Sequence, residues 1–199
     1  MRIGNYSRKT KETDITVTVR FDDKGDAACE IPIPFFSHML DSFCRHGGIS
    51  LAIKGCGDTD VTMHHFLEDS GFVIGRAVAD ALGDFCAIER AGTCIMPMDE
   101  ALVMAVIDIS GRSWCECRLS VENKQIGSVS GDDISEFFAG FSRGLGCAVH
   151  MRTLNVANPH HTVEAAFKAF GRALAQACKN KEGAQLTTTK GVIDHDNDR

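Results

Sequence analysis

Apolar residues recur in two distinct rhythms along this chain, every second position in some stretches and every three to four in others, which separates strands from helices. Period two runs through Ile15 to Phe21 and Cys29 to Ile33, with a weaker stretch near the N-terminus. It returns in Gly92 to Met96, Ala101 to Ile109 and Trp114 to Leu119. Helical spacing governs Phe35 to His46 and Ile134 to Leu145, each ended by glycine, Gly47-Gly48 in the first and Gly144 and Gly146 in the second. A short alternating strand follows each helix, Ser50 to Lys54 and Ala148 to Leu154. A long helix then runs to about Leu82 in one case and about Cys178 in the other. Asp22-Asp23-Lys24-Gly25 and Ser110-Gly111-Arg112 supply turns.

Strands, helix, strand, helix is thus written twice, most clearly over residues 36–82 and 134–177. The expectation is an α+β fold, internally duplicated in βαβα-type halves, with helices packed between or against two mixed sheets. The first structural repeat is expected over 1–85, the second over 86–193, and a flexible charged tail over 194–199.

Composition narrows the function classes. The chain has 199 residues, 44% of them hydrophobic, enough to bury a core without staples. A formal net charge of −6 with interspersed signs argues against a nucleic-acid surface. Met1 to Arg20 is polar and mixed, unlike a signal peptide, and no apolar run nears the ~20 residues a membrane span needs. Nine cysteines, none in a Cys-x-x-Cys pair, read as reduced thiols, and the expected location is cytoplasmic. Cys115 and Cys117 share one face of a strand.

Each long helix opens with His-His-x-x-Glu: His64, His65 and Glu68 in one repeat, His160, His161 and Glu164 in the other. Positions four apart share a helix face, so His64 aligns with Glu68 and His160 with Glu164, while the second histidine is turned by about 100°. One helix cannot easily aim both histidines at one ion. The pattern therefore predicts two ions, each taking a His/Glu clamp from one repeat and a lone histidine from the other. Imidazoles and carboxylates without thiolate suit Mn, Fe, Co or catalytic Zn, with octahedral Mn²⁺ preferred where a substrate completes the shell. His38 on the first helix and Glu136 at the equivalent position of the second are further ligand candidates. His150 lies in a strand, and His46 ends a helix, where the dipole favours an imidazolium.

With these residues in view, the chain resembles the imidazoleglycerol-phosphate dehydratase family. The segments that carry the resemblance are FFSHMLDSFCRHGG, HHFLEDSGFVIGRAVADALGD, PMDEAL with DISGR, HHTVEAAFKAFGRAL and the closing TTTKGV. The resemblance implies four helices packed between two four-stranded sheets, and a homo-oligomer, usually of 24 subunits, with two Mn²⁺ per active site at subunit interfaces. One ion would take His38, His65, His160 and Glu164; the other His64, Glu68, His161 and the position of Glu136, where many members carry histidine. The implied reaction is loss of water from D-erythro-imidazole-glycerol phosphate to give imidazole-acetol phosphate, a step of histidine biosynthesis, through a ring held as imidazolate between two cations. Glu12, Glu164 and His38 are the implied catalytic groups, with Glu12 also touching substrate. His46, Arg90, Arg112, Lys168, Thr188, Thr189 and Lys190 are the implied substrate contacts, most of them for the phosphate. A dinuclear phosphate-ester hydrolase is the competing enzyme reading, and a metal-clipped structural assembly the non-enzymatic one.

Overall fold

The computed structural model describes residues 1–156 and 158–181. The first sheet comprises β1 (Ile3–Lys9), β2 (Thr13–Arg20), β3 (Ala27–Glu30) and β4 (Ser50–Gly57), in the order β1-β2-β4-β3. The second comprises β5 (Ala91–Met98), β6 (Ala101–Asp108), β7 (Trp114–Arg118) and β10 (Ala148–Asn155), in the order β5-β6-β10-β7. In both, the last-formed strand inserts between antiparallel and parallel neighbours, β2 and β3 for β4, and β6 and β7 for β10. The two orders are the same pattern written in different strands. Four helices, α1 (Pro34–Gly47), α2 (His64–Leu82), α3 (Gly131–Leu145) and α4 (Pro159–Ala177), lie between the sheets, as the α+β reading expects. A two-residue hairpin, β8 (Gln125–Ile126) with β9 (Val129–Ser130), precedes α3.

Alternation in the sequence becomes the two faces of each sheet. Ile15, Val17 and Val19 of β2 and Val103, Ala105 and Ile107 of β6 are buried, whereas Asp14 and Thr16 face out. Cys29 to Ile33 departs from expectation: the strand stops at Glu30, and Ile33 is the fully buried N-cap of α1, with Pro34 supplying the first helical position. The predicted start of α3 at Ile134 is also late. Ser130 and Asp133 form a reciprocal capping box, which starts the helix at Gly131. Gly48 and Gly146 end α1 and α3 in the left-handed conformation, at φ 62 and 72°.

The helices meet in two pairs, α1 with α4 and α2 with α3. Phe36, Phe137, Phe138, Phe141, Phe167 and Phe170 interleave between them, with ring centroids as close as 4.9 Å for Phe141 and Phe170. Each such buried ring contributes on the order of 2–3 kcal/mol. The α2–α3 crossing brings backbones into contact: a Cβ on Gly71 would sit 2.1 Å from the Phe137 carbonyl oxygen, and one on Gly140 2.1 Å from that of Glu68. Gly171 of α4 meets the Phe43 carbonyl of α1 in the same way. No helix among the described residues is long and apolar enough to cross a membrane.

Candidate metal centre

Both long helices begin at their histidine pairs. Asn158 caps α4, its side-chain oxygen accepting the His160 N–H at 2.9 Å, with Pro159 preset for the first turn. In α2 the Thr62 hydroxyl accepts the His64 N–H at 3.2 Å. One turn later each helix presents its glutamate below the first histidine, His64 Nε2 3.5 Å from Glu68 and His160 Nε2 3.3 Å from Glu164.

The crossings then bring in a third ligand from the other half of the chain. His38 of α1 joins His160 and Glu164, its Nε2 3.4 Å from Glu164 Oε2, and Glu136 of α3 joins His64 and Glu68. In each group the donor atoms lie within 4.8 Å of one another. Imidazole and carboxylate oxygen converging at that spacing fit a borderline or hard divalent cation. Glu136, one turn before Gly140, therefore stands within the second group. His150 does not: it is exposed on β10, 3.9 Å from Glu116.

The second histidine of each pair points elsewhere within the same chain. His65 Nδ1 lies 3.1 Å from Asp58 and 4.0 Å from Glu12. The Asp58 hydrogen bond raises its pKa, against partial desolvation. His161 Nδ1 lies 3.1 and 3.0 Å from the two oxygens of Glu100. Glu100 also accepts the Asn158 N–H at 3.0 Å, and that bond, foremost, drops its carboxyl to about 2. A depressed acid contributes stability that is whole above its ordinary value of 4.5 and is lost as the pH falls towards about 2.

Charges surround the glutamates. Lys168 Nζ stands 2.7 Å from Glu164 Oε1, and Arg143 Nη2 pairs with Glu68 Oε1 at 2.5 Å. Burial alone would raise the Glu164 carboxyl, but the Lys168 hydrogen bond and charge, with help from His38, bring it below the usual carboxylate range. Replacing Lys168 by methionine removes the larger opposition to burial and leaves that of His38, so Glu164 takes up its proton at higher pH than in the parent chain. Carboxyl ¹³C titration of glutamate-labelled protein reads that upward movement, and an unmoved curve would contradict it.

The remaining candidates scatter. Glu12 lines a cleft of about 520 Å³ with Arg8, Glu68 and Arg143, beside the second ligand group. Arg90 forks onto Asp108 at 2.7 and 3.1 Å, and its N–H bonds to the Ala177 carbonyl at the far end of α4. Arg112 is exposed in the turn after β6. At 1.5 Å per residue, the Ala177 end of α4 is roughly 25 Å from His160, so Arg90 does not meet the His160 ligand group of its own chain. The imidazolium expected at His46 is disfavoured. Desolvation lowers its pKa first, then the charges of Lys168 and Arg172, and these outweigh the helix terminus. Thr188, Thr189, Lys190 and the tail 194–199 lie outside the described residues. Sequence reading missed Asp58, Glu100 and Arg143, whose partners are 7, 61 and 75 residues away.

Comparison with known proteins identifies the family. The family model for imidazoleglycerol-phosphate dehydratase matches residues 31–174. An imidazoleglycerol-phosphate dehydratase of Chlorobaculum tepidum is 42% identical over 192 residues, 96% of this chain and 98% of the relative. A bifunctional histidine-biosynthesis protein of Legionella pneumophila is 41% identical over 96% of this chain and 54% of its own length. The crystal structure of the Pyrococcus furiosus dehydratase in complex with (S)-C348 superposes with a TM-score of 0.82 at 34% identity, covering 94% of this chain and 99% of that one. On sequence and fold alike, the chain belongs to the imidazoleglycerol-phosphate dehydratase family.

Proposed function

We propose that this chain dehydrates D-erythro-imidazole-glycerol phosphate to imidazole-acetol phosphate with two divalent ions, Mn²⁺ preferred, held between copies of the chain. The enzyme class, a hydro-lyase of histidine biosynthesis, follows from family membership. The observation that supports the finer reading is that two three-ligand groups are each built from both halves of the chain, with His65 outside them and His161 in a third, more exposed group with Asp99 and Glu100. A histidine from a neighbouring copy would raise each group to four protein ligands and leave positions for substrate. His38, His160 and Glu164 would then share an ion with His65 of another copy, and His64, Glu68 and Glu136 with His161.

Ions held by these residues would supply Lewis acidity towards the substrate ring. The chain's own groups do the rest. Both oxygens of Glu164 are engaged, by Lys168 and by His38 and His160, so Glu164 serves as ligand rather than as proton carrier. Glu12 is half-exposed in the cleft beside Glu68, and its carboxylate, 4.0 Å from His65 Nδ1, is the group suited to move a proton at the side chain of the substrate. His38 then acts catalytically only through the ion it holds. Arg90, remote from the His160 group of its own chain, and the exposed Arg112 would bind the phosphate presented at a neighbouring copy's site.

Incubating the Mn²⁺-loaded protein with imidazole-glycerol phosphate should produce a ketone and release no inorganic phosphate. Phosphate release without ketone would instead support a dinuclear hydrolase, for which paired ions flanked by arginines are equally suited.

A further inference from the structure

The three-ligand groups and the two leftover histidines differ in which ring nitrogen is engaged. His38, His64 and His160 present Nε2 to a ligand carboxylate, at 3.4, 3.5 and 3.3 Å. His65 and His161 do the reverse, each with Nδ1 against a carboxylate of its own half. Asp58, in the connection from β4 to α2, lies 3.1 Å from His65 Nδ1, and Glu100, in the β5–β6 turn, lies 3.0 Å from His161 Nδ1. The two acids occupy different elements, so the device has been built twice from different residues.

An ionised carboxylate only accepts hydrogen bonds. Facing it, Nδ1 must carry the ring proton, and Nε2 becomes the nitrogen with a free lone pair. Asp99 is the nearest acid to His161 Nε2, at 3.9 Å, beyond hydrogen-bond reach. Both acidic residues are anchored independently of the imidazoles, Glu100 through its carboxylate and Asp58 through its backbone. Glu100 accepts the Asn158 N–H at 3.0 Å, and the Asp58 backbone is tied to the Glu12 carbonyl at 3.1 Å.

We propose that Asp58 and Glu100 are positioning residues for metal capture, each fixing the tautomer and aim of a histidine, His65 or His161, whose Nε2 then serves as a preset ligand for an ion shared with another copy of the chain. The proposal rests on the dimetal reading above, and it assigns to two acids outside the ligand groups a share of the metal affinity. A carboxylate behind a ligand histidine typically carries 10- to 100-fold in that affinity.

Glu100→Gln is the sharpest variant. Its amide oxygen can keep the Asn158 N–H, which leaves the amide NH₂ facing His161 Nδ1. A donor in place of the nearer oxygen, 3.0 Å from Nδ1, shifts the balance towards the proton on Nε2, which blocks the lone pair. In metal-free full-length protein labelled with ¹⁵N-histidine, the parent chain should show His65 and His161 as Nδ1–H tautomers. Glu100→Gln should convert His161 alone to the Nε2–H form. Mn²⁺ titration of the same samples should give affinity weakened 10- to 100-fold for Glu100→Gln and for Asp58→Ala. Glu116→Gln, which alters the acid beside the strand histidine His150, should leave affinity unchanged. Unaltered tautomers and affinity in folded Glu100→Gln and Asp58→Ala proteins would overturn the proposal. A parent chain that binds no Mn²⁺ would instead overturn the dimetal reading on which it stands.

Discussion

Alanine in place of His64 or His160 should cut kcat/KM on the order of 10³-fold or more while the chain remains folded. Each change removes one imidazole from a three-ligand group and leaves the other group intact. Lewis-acid stabilisation of a developing charge contributes several kcal/mol, and each 1.36 kcal/mol corresponds to a factor of ten in rate. In the proposed reaction each ring nitrogen of the substrate has its own cation, so losing either ion should stop turnover. Metal analysis should fall from two Mn²⁺ per chain towards one in each variant, with far-UV circular dichroism unchanged. Normal turnover in both variants would refute the metal mechanism outright.

Gly140→Ala should destabilise the chain by about 3 kcal/mol, a fall of roughly 6–12 °C in Tm. The sign is the informative part. In an open helix, glycine to alanine adds up to about 1 kcal/mol of stability. Here the new Cβ would meet the Glu68 carbonyl oxygen at 2.1 Å, so α2 and α3 must separate. Separation also draws Glu136, one turn away on α3, from His64 and Glu68, so Mn²⁺ affinity should weaken together with stability. Urea denaturation of the metal-free chain isolates the packing effect from the ligand effect. A neutral or stabilising result would show that the crossing is looser than described.

Much of this architecture was legible in the order of residues because its signals are local. The His-His-x-x-Glu motifs open α2 and α4, where Thr62, Asn158 and Pro159 set the helix start, so spacing alone put each histidine over its glutamate. Period two in Ile15 to Val19 and in Val103 to Ile107 translated directly into buried faces. What escaped was created by folding across distance. Nothing near His161 in sequence announces Glu100, and nothing near Glu68 announces Arg143, since those partners meet only when the sheet and the helix pair assemble. The β8–β9 hairpin is too short for periodicity to register. His46 was misjudged because the helix end is visible in sequence while Lys168 and Arg172, brought in by α4, are not.

The crossed pairing of helices has a consequence for how the chain could be divided. A polypeptide ending at Leu82 would keep the first sheet with α1 and α2 but lose Glu136 from one ligand group and His160 and Glu164 from the other. Neither fragment alone retains all three donors of either set, yet mixing the two would restore both. In that sense the protein is a dimer fused head to tail, with each part holding the missing piece of its twin's grip.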